Sequence, residues 1–237
     1  MLGTSAAQAR SAVLEELIRK DPGRFRVLTG DRPTGRLHLG HFFGTLHNRV
    51  RLQDLGVELF VVIADYQVLT DRDVADDLIR HVEELVLDYL AIGVDPARST
   101  TDGTKMSKSR NNAITLAADV DETAWLIKGA KTDSERHISY DPATRPEVSS
   151  LLLLAALCQG RTPEQVAADI GSAGAAALKK VVTESVNEYL APIRARRAEY
   201  GQDRAHLRDV LRAGNERARA VADATLAEVR AAMNTCY

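Results

Sequence analysis

The sequence predicts an α/β fold with parallel strands over its first half, followed by an all-α carboxyl-terminal part. Three observations carry that expectation. Glu58 to Ala64 is a nearly all-apolar, β-branched run, as a strand covered on both faces requires. A shorter apolar run, Phe25 to Leu28, precedes it, and the helical pattern between the two makes a βαβ unit with a right-handed crossover. After Asn112 no strand pattern recurs and helical spacing continues to the end.

Taken in order, residues 1–23 read as a helical extension, because Val13, Leu14, Leu17 and Ile18 fall on one helical face. Glu15 and Glu16 lie within it and no cleavable apolar core is present, so neither a secretory nor an organelle signal is expected. The first strand is expected to break at Gly30 and Pro33. A helix follows Gly35, with Leu39, Phe42, Phe43, Leu46 and Val50 as its apolar stripe. Asp65, Tyr66 and Gln67 follow the second strand at its carboxyl end, where open α/β sheets place ligands. Thr70 and Asp73 resemble a capping box for a helix that runs to about Leu90 and is stopped by Gly93 and Pro96. A third parallel strand should come next, yet no candidate lies between Gly93 and Lys105. Two parallel strands make a poor sheet, so a segment is read as missing near residues 99–101.

The helical part, residues 113–237, begins with a helix capped by Asp119 to Glu122. Trp125, the single tryptophan, is expected to pack there. Further helices are predicted over 146–158, 162–169, 174–199 and 203–233, with Gly171 to Gly174 as a linker. The last two carry Arg194, Arg196, Arg197, Arg204, Arg208, Arg212, Arg217 and Arg219. These suit either a solvated face paired with Glu199, Asp209 and Glu216 or a contact to an RNA backbone. Residues 24–112 are expected to form the shortened nucleotide-binding core.

Composition narrows the function classes. The chain has 237 residues, 45% of them hydrophobic, enough for a substantial core. A net charge of −2 gives no global attraction for nucleic acid, so any RNA contact must be local. Cys158 and Cys236 are too few for a disulfide framework or a zinc site, which fits the cytoplasm, and no protein-held metal is expected. No run is long enough to span a bilayer, so no membrane contact is expected.

The chemistry concentrates in two stretches. The first is Arg32-Pro33-Thr34-Gly35-Arg36-Leu37-His38-Leu39-Gly40-His41, at a strand-to-helix turn where backbone N–H groups and the helix dipole favour an anion. Gly40 leaves room for close approach of a ligand, and His38 and His41 are spaced to share a helix face. The second is Lys105-Met106-Ser107-Lys108-Ser109, whose amines and hydroxyls suit a polyphosphate. Neither is a Walker loop or a G-x-G-x-x-G fingerprint.

These stretches resemble the HIGH and KMSKS motifs of class I aminoacyl-tRNA synthetases. The segment downstream narrows the likeness: Arg110-Asn111-Asn112-Ala113-Ile114, Ile127-Lys128-Gly129-Ala130-Lys131-Thr132-Asp133-Ser134-Glu135, Tyr140-Asp141-Pro142 and Arg145-Pro146-Glu147-Val148-Ser149 resemble the tryptophanyl-tRNA synthetases. The resemblance implies a Rossmann-type catalytic domain and a helical anticodon-binding domain. It also implies a ligase that uses ATP and Mg²⁺ to make tryptophanyl-adenylate and passes it to tRNA. Arg32, Pro33, Thr34, Gly40 and His41 would surround the ATP, and Lys105, Met106, Ser107, Lys108 and Ser109 would hold its triphosphate. His38, His41, Lys105 and Lys108 would be the catalytic set, and Asp65, Tyr66 and Gln67 would line the amino-acid pocket. Family members often carry glutamine at Arg32, asparagine at His41 and histidine at Gln67; the first two changes keep a donor.

The missing segment departs from the family. It would hold the aspartate that reads the indole N–H, a G-x-D-Q segment near the nucleotide, and much of the interface of the expected homodimer. The alternative is therefore a non-catalytic or decayed paralogue that binds ATP, tRNA or a full-length partner, for which an exposed edge of the second strand would be the docking point.

Overall fold

The computed structural model describes residues 2–65, 77–97, 99–100 and 113–235. The chain forms two compact units. One comprises residues 1–36, 44–109 and 199–237, the other residues 37–43 and 110–198. The last helix thus belongs with the sheet, not with the helical stretch that precedes it in sequence.

In the first unit, α1 (Leu2–Lys20) leads through a short 3₁₀ turn to β1 (Arg26–Asp31). β2 (Glu58–Ile63) pairs parallel with β1 from Arg26↔Glu58 to Asp31↔Ile63. Leu59, Phe60, Val61 and Ile63 are buried, as the apolar run predicts. β1 runs through Gly30 instead of breaking there. A Cβ at Gly30 would lie 2.2 Å from the Val62 carbonyl oxygen, so glycine lets the strands approach.

A third strand exists, against expectation. β3 (Ser99–Thr100) pairs parallel with β2 at Leu59 and Phe60, giving the order β1-β2-β3. Two polar residues carry no apolar run, and backbone pairing alone defines this strand. The edge of β2 expected to be open is therefore paired at Leu59 and Phe60.

α4 (Leu78–Ile92) buries every residue from Leu85 to Ile92 and ends at Gly93, whose φ of 103° is the left-handed cap that glycine tolerates. Thr70 and Asp73 lie outside the described residues. The last helix, α9 (Arg204–Ala232), lies against α4 and β3. Its Arg208 donates to Glu83 at 2.7 Å, Arg204 to Glu84 at 2.7 Å, and Arg217 to the Pro96 carbonyl at 2.7 Å. Of the apolar face of α1, Ile18 is buried whereas Val13, Leu14 and Leu17 are exposed.

The chain between β1 and β2 is helical in three pieces: α2 (Leu39–His41), a π turn over Phe42–Leu46, and α3 (His47–Asp54).

The second unit is helical: α5 (Val120–Lys128), α6 (Pro146–Gln159), α7 (Pro163–Ile170) and α8 (Gly174–Tyr200). Asp119 caps α5 by accepting the Glu122 N–H at 2.7 Å. Leu178, Val182, Val186, Leu190 and Ile193 make the buried stripe of α8. Trp125 does not pack as expected: it is 72% exposed. Thr123 and Ile127 form the buried face of α5, and the helical repeat turns position 125 away from it. Among the described residues no helix is long and apolar enough to cross a membrane.

Candidate active site

In the first unit, a buried polar cluster fixes the end of β1. Asp31 accepts Arg49 Nη1 from α3 at 2.6 Å and the Tyr89 hydroxyl from α4 at 2.6 Å. Arg49 and Tyr89 are both buried. Burial, and then the neighbouring Asp31 charge, push the Tyr89 hydroxyl well above its usual pKa. The Ala64 N–H donates to the Asp31 carbonyl at 3.1 Å, tying in the end of β2 beside Asp65.

Arg32, Pro33 and Thr34 follow directly. The Thr34 N–H donates to the Arg32 carbonyl at 2.8 Å, closing a tight turn, and Gly35 has a φ of 128°. Thr34 Oγ1 is buried with no hydrogen-bond partner among the described residues. A buried hydroxyl left this way is a ready contact for a ligand.

In the second unit, Leu37 to Leu39 run antiparallel to Ile114 to Leu116. Leu39 donates to the Ile114 carbonyl at 2.9 Å and Leu116 to the Leu37 carbonyl at 2.9 Å, with His38 opposite Thr115. The start of the HIGH stretch is thus held by the chain that leaves the KMSKS stretch. Thr115 Oγ1 is also buried without a partner among the described residues.

His38 is not on the helix with His41. It precedes α2 in extended conformation, and the two rings meet at 3.7 Å between centroids. The His38 N–H donates to His41 Nδ1 at 3.3 Å, so a neutral His41 carries its proton on Nε2. A Cβ at Gly40 would lie 3.0 Å from the His38 ring, so any larger residue there has to displace the ring.

The backbone donors expected for an anion here are largely committed. Leu39 donates to Ile114, and both His41 and Phe42 donate to His38. Side chains therefore carry more of any anion contact than the helix start does.

Of the segments that narrow the family, those around Asp133, Asp141 and Arg145 form one knot in this unit, and Arg110 to Asn112 lie outside the described residues. Buried Arg145 forks onto Asp133 through Nε and Nη2, both at 2.7 Å, and its Nη1 donates to the His137 carbonyl and to Ser139 Oγ. Asp141 accepts from Ala143, from the Thr144 N–H and from Thr144 Oγ1, while its own N–H donates to Ser149 Oγ. The Arg145 guanidinium holds the Asp133 carboxyl below the usual range, and the Thr144 donors do the same for Asp141.

Tyr66, Gln67 and Lys105 to Ser109 lie outside the described residues. Among those described, no group of three His, Cys, Asp or Glu could hold a metal. Asp31, Arg49, Tyr89 and Thr115 were not anticipated; an acid ending a strand and a tyrosine inside an apolar helix were the available signals. Four of the arginines considered for RNA are paired within the first unit, namely Arg204, Arg208, Arg212 and Arg217. Arg194 donates to the Ala118 carbonyl, Thr123 and Asn187. Of the three carboxylates expected to pair, Asp209 does so, with Arg212 at i,i+3.

The sequence model of the tRNA synthetases class I (W and Y) matches residues 20–101 and 96–191. The chain belongs to that family. Its two matched stretches meet at 96–101, where the sequence places the missing segment. The tryptophan–tRNA ligase of Clostridium longisporum is 27% identical over 331 positions, covering 89% of this chain and 97% of the relative. That alignment is longer than the 237 residues present, so the relative carries a long stretch that this synthetase lacks. The tryptophan–tRNA ligase of Streptococcus pyogenes serotype M3 (strain ATCC BAA-595 / MGAS315) is 51% identical over 76 residues, covering 31% of this chain and 22% of its own. Among solved structures, the tryptophanyl-tRNA synthetase of Campylobacter jejuni complexed with ADP and tryptophan shares the fold at a TM-score of 0.72 and 18% identity. It is matched over 89% of this chain and 100% of its own. The Mycoplasma pneumoniae enzyme gives 0.72 at 19% identity, over 86% and 96% of the two chains.

Proposed function

We infer that this chain is a tryptophan–tRNA ligase. The observation that carries the reading is the antiparallel pairing of Leu37–Leu39 with Ile114–Leu116, which joins the chain leaving one nucleotide motif to the start of the other. The amino acid follows from the relatives, which are tryptophan–tRNA ligases.

In the proposed reaction the ionised tryptophan carboxylate attacks the α-phosphorus of ATP. The new P–O bond gives tryptophanyl-adenylate as the bond to pyrophosphate breaks. A terminal ribose hydroxyl of tRNA then takes the tryptophanyl group and AMP leaves. No strong base is needed for the first step, so stabilising the charge that builds on the leaving phosphates is the main task. Lys105 and Lys108, with Met106, Ser107 and Ser109, are assigned to the triphosphate. Arg32, Pro33, Thr34, Gly40 and His41 are assigned to the rest of the nucleotide, with His38 behind His41. Asp65, Tyr66 and Gln67 are assigned to tryptophan. Mg²⁺ fits as an ion carried on the phosphates, since it ordinarily keeps phosphate and water ligands instead of an all-protein cage. The helices after residue 112 are assigned to the tRNA, and the cytoplasm is the proposed location. Pairing of two copies is expected to be weaker than in longer relatives, because part of the family interface falls in the missing segment.

The test is tryptophan-dependent exchange of labelled pyrophosphate into ATP. Exchange that disappears in a Lys105→Ala, Lys108→Ala double variant supports the ligase; a folded chain with no exchange overturns it in favour of a paralogue that only binds.

A further inference from the structure

We propose that two copies of this chain pair through the free end of α9, as a short antiparallel coiled coil. The pairing does not depend on the ligase reading, and it is separate from the family interface that falls in the missing segment.

α9 changes character along its length. Up to Val221 it faces its own unit: Leu207 and Gly214 are buried and Leu211, Ala218 and Val221 half-buried, at helical spacing. Its side-chain ties to the rest of that unit, from Arg204, Arg208 and Arg217, all fall in this part. The helix then continues to Ala232, although residues 222–234 are all exposed. That is about three turns with water on every side, and an isolated helix so short is marginal.

This end carries an apolar face of its own. The stripe that packs on the unit would continue through Thr225 and Glu228, both polar, so that packing stops. One residue round the helix, Ala222, Leu226, Val229 and Met233 follow one another at four, three and four positions, the alternation of a coiled-coil seam. Leu226, Val229 and Met233 are 45%, 46% and 66% exposed. Arg219 occupies the preceding seam position and ends it.

The charges beside the seam select the occupant. Asp223 and Arg230 flank it on the same side, and both are exposed. Laid antiparallel on a second copy, Leu226 of each chain meets Val229 of the other and Ala222 meets Met233. Asp223 then falls against Arg230 at both ends of the contact. The patch is thus self-complementary about a twofold axis, as an isologous dimer requires. A parallel pair would set the same two charges against Ala218 and Thr225 and gain nothing from them. A seam of about two heptads is a small interface, so the dimer is weak and forms with rising concentration.

Sedimentation equilibrium of the full chain over a wide concentration range should show a reversible monomer–dimer equilibrium. A Leu226→Glu, Val229→Glu variant should remain folded and monomeric, since both positions are exposed in the single chain. Asp223→Arg and Arg230→Asp, each alone, should weaken self-association roughly tenfold, because two attractive exposed pairs become two repulsive ones. Mixing the two single variants should restore pairing as a heterodimer, in which both facing pairs are again opposite in sign. Combining the two changes in one chain should restore the homodimer for the same reason. A wild-type chain that stays monomeric throughout would overturn the proposal. So would a dimer that persists in the Leu226, Val229 variant, which would place the contact on the family interface instead. Single charge variants whose mixture associates no better than either alone would rule out the antiparallel arrangement.

Discussion

The hydroxyl of Tyr89 donates to the Asp31 carboxylate at 2.6 Å, joining α4 to the end of β1 one residue before the stretch assigned to ATP. Tyr89→Phe keeps the ring and removes this bond. Hydrogen bonds to charged groups contribute about 1.5–3 kcal/mol, so the variant should melt lower and show a raised KM for ATP as the Arg32 turn loosens. The pH dependence has a definite sign. The Tyr89 pKa is raised in the fold, so its contribution is complete below the unfolded value of about 10 and is lost as pH rises toward the higher folded value. Melting temperatures of the two proteins should therefore converge above about pH 10. A constant gap across that range would show that the bond does not titrate as described.

Asp133 carries the opposite sign. Its pKa is lowered by Arg145, so the contribution is present above the unfolded value of about 3.9 and is lost as pH falls through the folded value. Asp133→Asn should lower the melting temperature at neutral pH and flatten the acid limb of the profile. Arg145→Lys should also destabilise, because an ammonium cannot reproduce the fork and still reach both His137 and Ser139. A lysine variant that melts like the wild type would argue that the knot is not held by this geometry.

How much of this could be read beforehand depended on the kind of signal. The helices were legible because periodicity and caps are local: Asp119 and Gly93 act where the sequence places them. β3 was not, since two polar residues become a strand only by meeting Leu59 and Phe60. The membership of α9 was not legible either, because it depends on Glu83, Glu84 and the Pro96 carbonyl, more than a hundred residues away in the chain. At the site, the motifs named His38, Gly40 and His41, but not the reason for Gly40, which is the His38 ring.

That reason gives a direct test. In Gly40→Ala the new methyl meets His38 Cε1 and Nδ1 at 3.0 Å, and the ring must turn to make room. Gly40 is exposed, so the fold should survive while pyrophosphate exchange drops by about an order of magnitude or more, the scale on which misplacing a catalytic group acts. Exchange at the wild-type rate would show that the placement of the His38 ring is unimportant to the chemistry.

Thr115 offers the sharpest separation of stability from function. It lies opposite His38, and its buried hydroxyl finds no partner among the described residues. A buried group left unsatisfied costs about 1–3 kcal/mol, and valine has nearly the same shape without the hydroxyl. If the hydroxyl is kept for the nucleotide, Thr115→Val should melt at or above the wild-type temperature yet bind ATP more weakly. Calorimetric melting with and without ATP reads both effects, since ligand that binds the folded state raises the melting temperature in proportion to its affinity. A variant that is destabilised, with an unchanged ATP-induced shift, would place the hydroxyl in the fold instead of the site.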